Sequence, residues 1–119
     1  MEDKHKKLLG KRGEEIARDF LVNKGYELIK MNHRTRLGEV DLILIDGGVV
    51  VFVEVKTRRF RNQGLPEEAV TERKLKTIGK VAESFLMERD WTNRQARIDV
   101  VAVEMTGDLP IIRHIENAS

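Results

Sequence analysis

Residues 38–58 read Gly-Glu-Val-Asp-Leu-Ile-Leu-Ile-Asp-Gly-Gly-Val-Val-Val-Phe-Val-Glu-Val-Lys-Thr-Arg, two apolar runs separated by Asp46-Gly47-Gly48. Runs rich in Val, Ile, Leu and Phe around a Gly-Gly step predict two strands joined by a tight hairpin turn. With Gly47 and Gly48 as the two loop residues, Asp46 faces Val49, Asp41 faces Glu54, and Glu39 faces Lys56. Facing residues of an antiparallel pair project from one side, with Cβ atoms roughly 4.5–5.5 Å apart. One side then carries Val40, Leu42, Leu44, Val49, Val51, Val53 and Val55. The other carries Ile43, Ile45, Val50 and Phe52, then Glu39, Asp41, Glu54 and Lys56 at the far end. Opposed like charges destabilise a sheet, so a cation is expected between Asp41 and Glu54: Lys56, or a divalent metal. Moving the two-residue loop to Asp46-Gly47 pairs Glu39 with Glu54 and keeps the side intact. A three-residue loop sends Asp41 and Glu54 to opposite sides and removes the site.

Around this hairpin the chain reads as one domain of 119 residues, 40% apolar and 35% charged. No apolar run reaches the length of a membrane span, and Met-Glu-Asp-Lys-His-Lys-Lys lacks a secretory apolar core. The absence of cysteine excludes disulfides and thiolate metal sites and fits a cytoplasmic location. Net charge is +2, with a pI near 9.0, a weak pointer to an anionic partner.

The first ten residues are expected to be partly frayed. A helix is predicted from about Lys11 to Lys24, with Ile16, Ala17, Phe20 and Leu21 as its apolar stripe and Gly25 just past its end. Glu14 borders that stripe; it is either within reach of the sheet or simply an acid favoured in a first helical turn. A strand follows from Tyr26 to about His33, then a basic turn holding Arg34 and Arg36, then the hairpin. Arg58, Arg59, Phe60 and Arg61 open a loop beyond its charged end. Pro66 to Val70 suits one helical turn. Thr71 caps a second helix running to about Arg89, buried through Leu75, Ile78, Val81, Ala82, Phe85 and Leu86. Arg97–Glu104 reads as an interior strand and Ile111–Glu116 as an edge strand. His5, His33 and His114 lack ligand spacing and read as surface residues; Trp91 reads as core or helix-end packing.

The order α-β-β-β-α-β-β describes a mixed five-stranded sheet flanked by helices. Glu14, Asp41, Glu54 and Lys56 come from separate elements and are candidates to converge. Mg²⁺ favours one or two carboxylates with waters and phosphate oxygens. There it acidifies bound water and stabilises charge on phosphorus. Lys56 would orient the attacking water, and nearby arginines would hold a polyanion's backbone. The plain alternative is a surface ion-pair network around Lys56.

Asp41 followed by Glu54-Val55-Lys56 resembles the PD-(D/E)XK nuclease signature, with Val40 in place of the usual proline. Nearly the whole chain resembles the bacterial YraN family. The matching segments are Gly13-Glu14-x-x-Ala17, Gly25-Tyr26, Asn32, Gly38 to Ile43, Phe52 to Arg58, Glu68-Ala69-Val70-Thr71-x-x-Lys74 and Arg97-x-Asp99-Val100. That family is similar to archaeal Holliday-junction resolvases, Mg²⁺-dependent homodimers that cut branched DNA. The resemblance implies an α/β, restriction-endonuclease-like three-layer core. It also implies an endonuclease dependent on Mg²⁺ (or Mn²⁺) and acting on DNA. Asp41, Glu54 and Lys56 would be catalytic, and Glu14, Asp41 and Glu54 would hold metal. Glu39 would support them from behind. Arg34, Arg36, Arg58, Arg59 and Lys74 are candidate nucleic-acid contacts. The competing expectations are a DNA-binding module with this fold and little chemistry, and a protein-interaction domain with an acidic patch.

Overall fold

A computed structural model describes residues 2–119. Helix α1 spans Glu2–Asn23, strands β1 to β3 span Glu27–Arg34, Glu39–Asp46 and Val49–Arg58, helix α2 spans Glu72–Glu88, and strands β4 and β5 span Ala96–Glu104 and Ile111–Ile115. Two short 3-10 turns, Arg61–Gln63 and Pro66–Ala69, lie between β3 and α2. The five strands form one sheet in the order β1-β2-β3-β4-β5. Only β3 and β4 are parallel, and a parallel pair needs a long crossover, which α2 provides. Of the segment expected to be frayed, Met1 lies outside the described residues, and the helix runs from Glu2 rather than Lys11. Lys, Leu and Arg carry high helix propensity, and no proline interrupts the run.

The sheet is covered on both faces. Ala17 and Leu21 of α1 pack on Leu42, Leu44, Val51, Val53, Val55, Val101 and Val103. Ile78, Val81, Ala82 and Phe85 of α2 pack on Val40, Ile43, Val50, Phe52 and Ile98. These are the three layers expected from the hydrophobic pattern. Thr71 caps α2 by accepting a hydrogen bond from the Lys74 N–H at 3.2 Å.

The hairpin has the predicted register: Asp46 pairs with Val49 and Leu42 with Val53. One face assignment is overturned. Val40 does not join Leu42 and Leu44 but packs under α2. The cause lies on the neighbouring strand. Asn32 takes a left-handed backbone, φ 53°, a region Asn tolerates better than most residues. The β1–β2 ladder passes from Met31–Leu42 to His33–Val40 across that residue. Met31 and Leu42 face α1, whereas His33 and Val40 face α2. Period-2 alternation is broken at one point, and Asp41 sits at the break.

Two histidines also depart from expectation. His33 is buried edge-on to Phe85, ring centroids 5.2 Å apart. The His114 side chain is only 3% exposed, with its Nε2 2.8 Å from Asp99 Oδ2. His5 is exposed. Trp91 packs at the end of α2 against Phe85, with Arg94 stacked over it.

Candidate functional site

The β2–β3 ladder ends at Leu42–Val53, and beyond it the two strands part. Asp41 fills the opening. Its Oδ2 accepts a hydrogen bond from the Val55 backbone N–H at 2.8 Å. A side-chain oxygen thus takes the place of a ladder carbonyl, satisfying a donor that would otherwise be stranded. The anchored carboxyl lies within hydrogen-bonding reach of the Glu54 carboxyl. The two acids do meet, by side-chain contact at a strand divergence rather than as the next rung of a regular ladder.

Burial and the contact between them shape their protonation. Glu54 is pushed up to about 8, first by burial and then by Asp41. Asp41 is also raised, chiefly by burial. The pair holds one proton between them near neutrality, because two adjacent carboxylates cannot both ionise cheaply. The cation beside them is Lys74, whose Nζ lies 3.5 Å from Glu54 Oε2. Lys74, a candidate nucleic-acid contact, is delivered to Glu54 by the start of α2, while Lys56, which with a divalent metal was one of the two cations expected between the acids, is half-buried two residues along β3 and lines a neighbouring groove. The facing pair Glu39–Lys56 is replaced, because Glu39 reaches across β1 to Arg34 at 3.4 Å.

Glu14 approaches from the other layer. Its pKa is raised to about 7 by burial, then by Asp41 and Glu39, while a hydrogen bond from the Asn32 side chain opposes the shift. Asn32 therefore acts twice, breaking the strand and holding Glu14. Gly13 sets how close α1 can come. A Cβ there would lie 1.9 Å from Thr57 Oγ1, so only glycine lets this turn of helix rest on β3.

The donors are carboxylate oxygens gathered in a partly buried, electronegative corner, which is the donor chemistry of a hard divalent cation. The raised pKa values of all three acids come first from burial, with neighbouring carboxylates adding to it at Glu14 and Glu54. Among the described residues, however, no three acidic or histidine side chains are already arranged as a metal-binding group. Glu14 is engaged with Asn32, and Asp41 and Glu54 are engaged with each other.

The cationic candidates divide into two sets. Arg58 and Arg59 line a groove of about 950 Å³ with Lys6, Arg12, Lys56 and Glu14. Arg34 is tied to Glu39, and Arg36 is exposed in the β1–β2 turn. Neither of these lines the groove.

At the hairpin end of the sheet lies a polar network with no part in the acid cluster. Buried Asp99 is held by Arg97 Nε at 3.1 Å, by His114, and by the Asn117 N–H at 2.9 Å. Arg97 also donates to the Tyr26 hydroxyl at 2.8 Å and to Asp46 at 3.1 Å. These contacts tie β4 to β5, to the chain terminus and to the hairpin turn. A third cluster joins Arg113 to Glu104 and to Glu67, pinning the Pro66–Ala69 turn onto the sheet. Its carboxylates lie far apart in sequence, and no spacing announced it.

Comparison with known proteins agrees with the family resemblance. Residues 13–103 match the model of the uncharacterised protein family UPF0102. A UPF0102 protein of Geobacter sulfurreducens is 44% identical over 115 residues, covering 96% of this chain and 90% of that protein. One from Geobacter metallireducens is 40% identical over 114 residues, covering 96% and 93%. One from Nocardia farcinica is 46% identical over 112 residues, covering 93% and 88%. The chain therefore belongs to the uncharacterised protein family UPF0102, the YraN family that its motifs resemble.

Proposed function

We propose that this protein is a divalent-metal-dependent endonuclease acting on phosphodiester bonds of DNA, branched DNA among its candidate substrates. The observation that carries the reading is the Asp41–Glu54 pair: a buried carboxyl and a half-buried one brought together at a strand divergence, the latter anchored by the Val55 N–H. A structural ion pair would match each acid with a base. Here two acids and a third, Glu14, outnumber Lys74.

Asp41 and Glu54 would hold Mg²⁺ or Mn²⁺, with Glu14 contributing directly or through water. When bound, the metal activates water and stabilises the charge that builds on phosphorus. Asp41 is fixed in place by the backbone of β3. Glu54 would have to release its proton to hold such a cation. Lys74 stabilises the ionised form of Glu54 and so lowers the cost of that exchange. Lys56, on the groove side, has the position to meet a phosphate or orient the attacking water. Arg58 and Arg59 hold the strand. The protein would work in the cytoplasm, where its substrate lies, and as a homodimer on a junction, since each chain carries one acid cluster and resolution needs two cuts.

The test is cleavage of labelled linear and four-way DNA with and without Mg²⁺ or Mn²⁺. Metal-dependent cutting that Asp41→Ala abolishes supports the proposal, whereas no cutting, or cutting indifferent to that change, removes it. Lys56→Ala is expected to lower kcat by about 100-fold or more, and Lys74→Ala to raise the metal concentration needed. A second reading, a DNA-binding module of the same fold with little turnover, draws on the lack of a ready three-ligand group among the described residues. It predicts a salt-sensitive gel shift that persists in Glu54→Ala, with no cleavage by the parent protein.

A further inference from the structure

The groove beside the acid cluster runs between the first half of α1 and the segment that leaves β3. Among its described lining residues, Lys6, Arg12, Lys56, Arg58 and Arg59 face a single carboxylate, Glu14. The balance suits a polyanion threaded toward the acids. Two further features narrow the occupant. Phe60 lines the groove with 58% of its surface exposed, and Leu8 lines it with 60% exposed. Arg58 lines the groove half-buried, with its Nε inside the fold.

An exposed aromatic ring among arginines has a specific use. Phosphates satisfy the guanidinium groups, but nothing in a phosphate backbone satisfies a phenyl face. Paired bases hide their faces in the stack, whereas an unpaired base offers one. We propose that this groove binds an unpaired, single-stranded nucleotide segment, with a base stacked on Phe60 and its phosphates on Arg58 and Arg59, so that the strand is led toward Glu14. This rests on the nucleic-acid reading above and adds the strand form that the site selects.

The test is fluorescence anisotropy of a labelled single-stranded oligonucleotide and of the same sequence as a duplex, in EDTA so that no cutting intervenes. The single strand is expected to bind more tightly than the duplex. Phe60→Ala should weaken single-strand binding by about 5- to 100-fold, with duplex binding changed less than twofold, and Phe60→Trp should retain it. Arg58→Ala should lower the salt dependence of both. Phe60 is exposed, so an unchanged melting temperature in Phe60→Ala serves as the folding control. Tighter duplex binding, or equal effects of Phe60→Ala on both forms, overturns this inference and leaves the nuclease reading intact. Failure to bind either form overturns both. Sedimentation in which Phe60→Ala converts a dimer to a monomer would assign the ring to a second copy of the chain instead.

Discussion

Replacing Glu54 with Gln should make this protein more stable, although Glu54 is buried and hydrogen-bonded. In the folded chain Glu54 keeps its proton up to about pH 8, against 4.5 for an ordinary glutamate. The unfolded chain releases that proton at lower pH. Between 4.5 and about 8 the folded state binds more protons than the unfolded state, so stability falls as pH rises through that window. Linkage makes the loss about 1 kcal/mol at pH 5 and about 3 kcal/mol at pH 7. Glutamine keeps the shape, cannot ionise, and offers its amide N–H to Asp41. We expect Glu54→Gln to gain about 2 kcal/mol at pH 7, or about 8 °C in Tm, with little gain at pH 5. Urea or thermal melts of both proteins from pH 5 to pH 9 measure this directly. Mg²⁺ or Mn²⁺ should raise the Tm of the parent and not of the variant. A destabilised Glu54→Gln with an unchanged pH slope would mean that Glu54 is an ordinary structural ion-pair partner of Lys74, and the argument for a strained acid site would be wrong.

Two further predictions concern the frame around the site. Gly13→Ala should cost about 2–3 kcal/mol, because the new methyl collides with Thr57 and lifts α1 from β3; Thr57→Ala should recover part of that loss in a double-mutant cycle read by urea melts. Asp99→Asn should cost about 3 kcal/mol at pH 7, since it strips the charge from a buried acceptor shared by Arg97, His114 and the Asn117 N–H. The Asp99 pKa is lowered, so this contribution is present above its ordinary value of 3.8 and disappears as pH falls. The variant's acid-unfolding limb should be correspondingly shallower.

The reading of the site from sequence succeeded where chemistry follows from local pattern. A Gly-Gly step with apolar runs on both sides allows few registers, and the observed one is the expected one from Leu42–Val53 to the turn, although Asp41 and Glu54 then meet by side-chain contact rather than as a rung of it. Thr71, Leu75, Ile78 and Phe85 announced α2 through capping and period, both properties of a few neighbouring residues. Lys56 and Lys74 were harder to rank. Their roles depend on where a helix end lands relative to a strand end, and nothing within either segment encodes that distance. Asn32 was visible only as a motif residue. Its left-handed backbone turns Val40 and His33 to the far face and frees its own side chain for Glu14.

From the order of residues alone came the count and sequence of elements, both covered faces of the sheet, and the family. These rest on periodicity, turn chemistry and capping, each acting over a handful of positions. Tertiary packing decided which ammonium sits at the acids, which histidines are buried, and that Asp41 bonds to the backbone of β3. Each of those outcomes depends on side chains from separate elements sharing one small volume, where burial and repulsion act through space rather than along the chain.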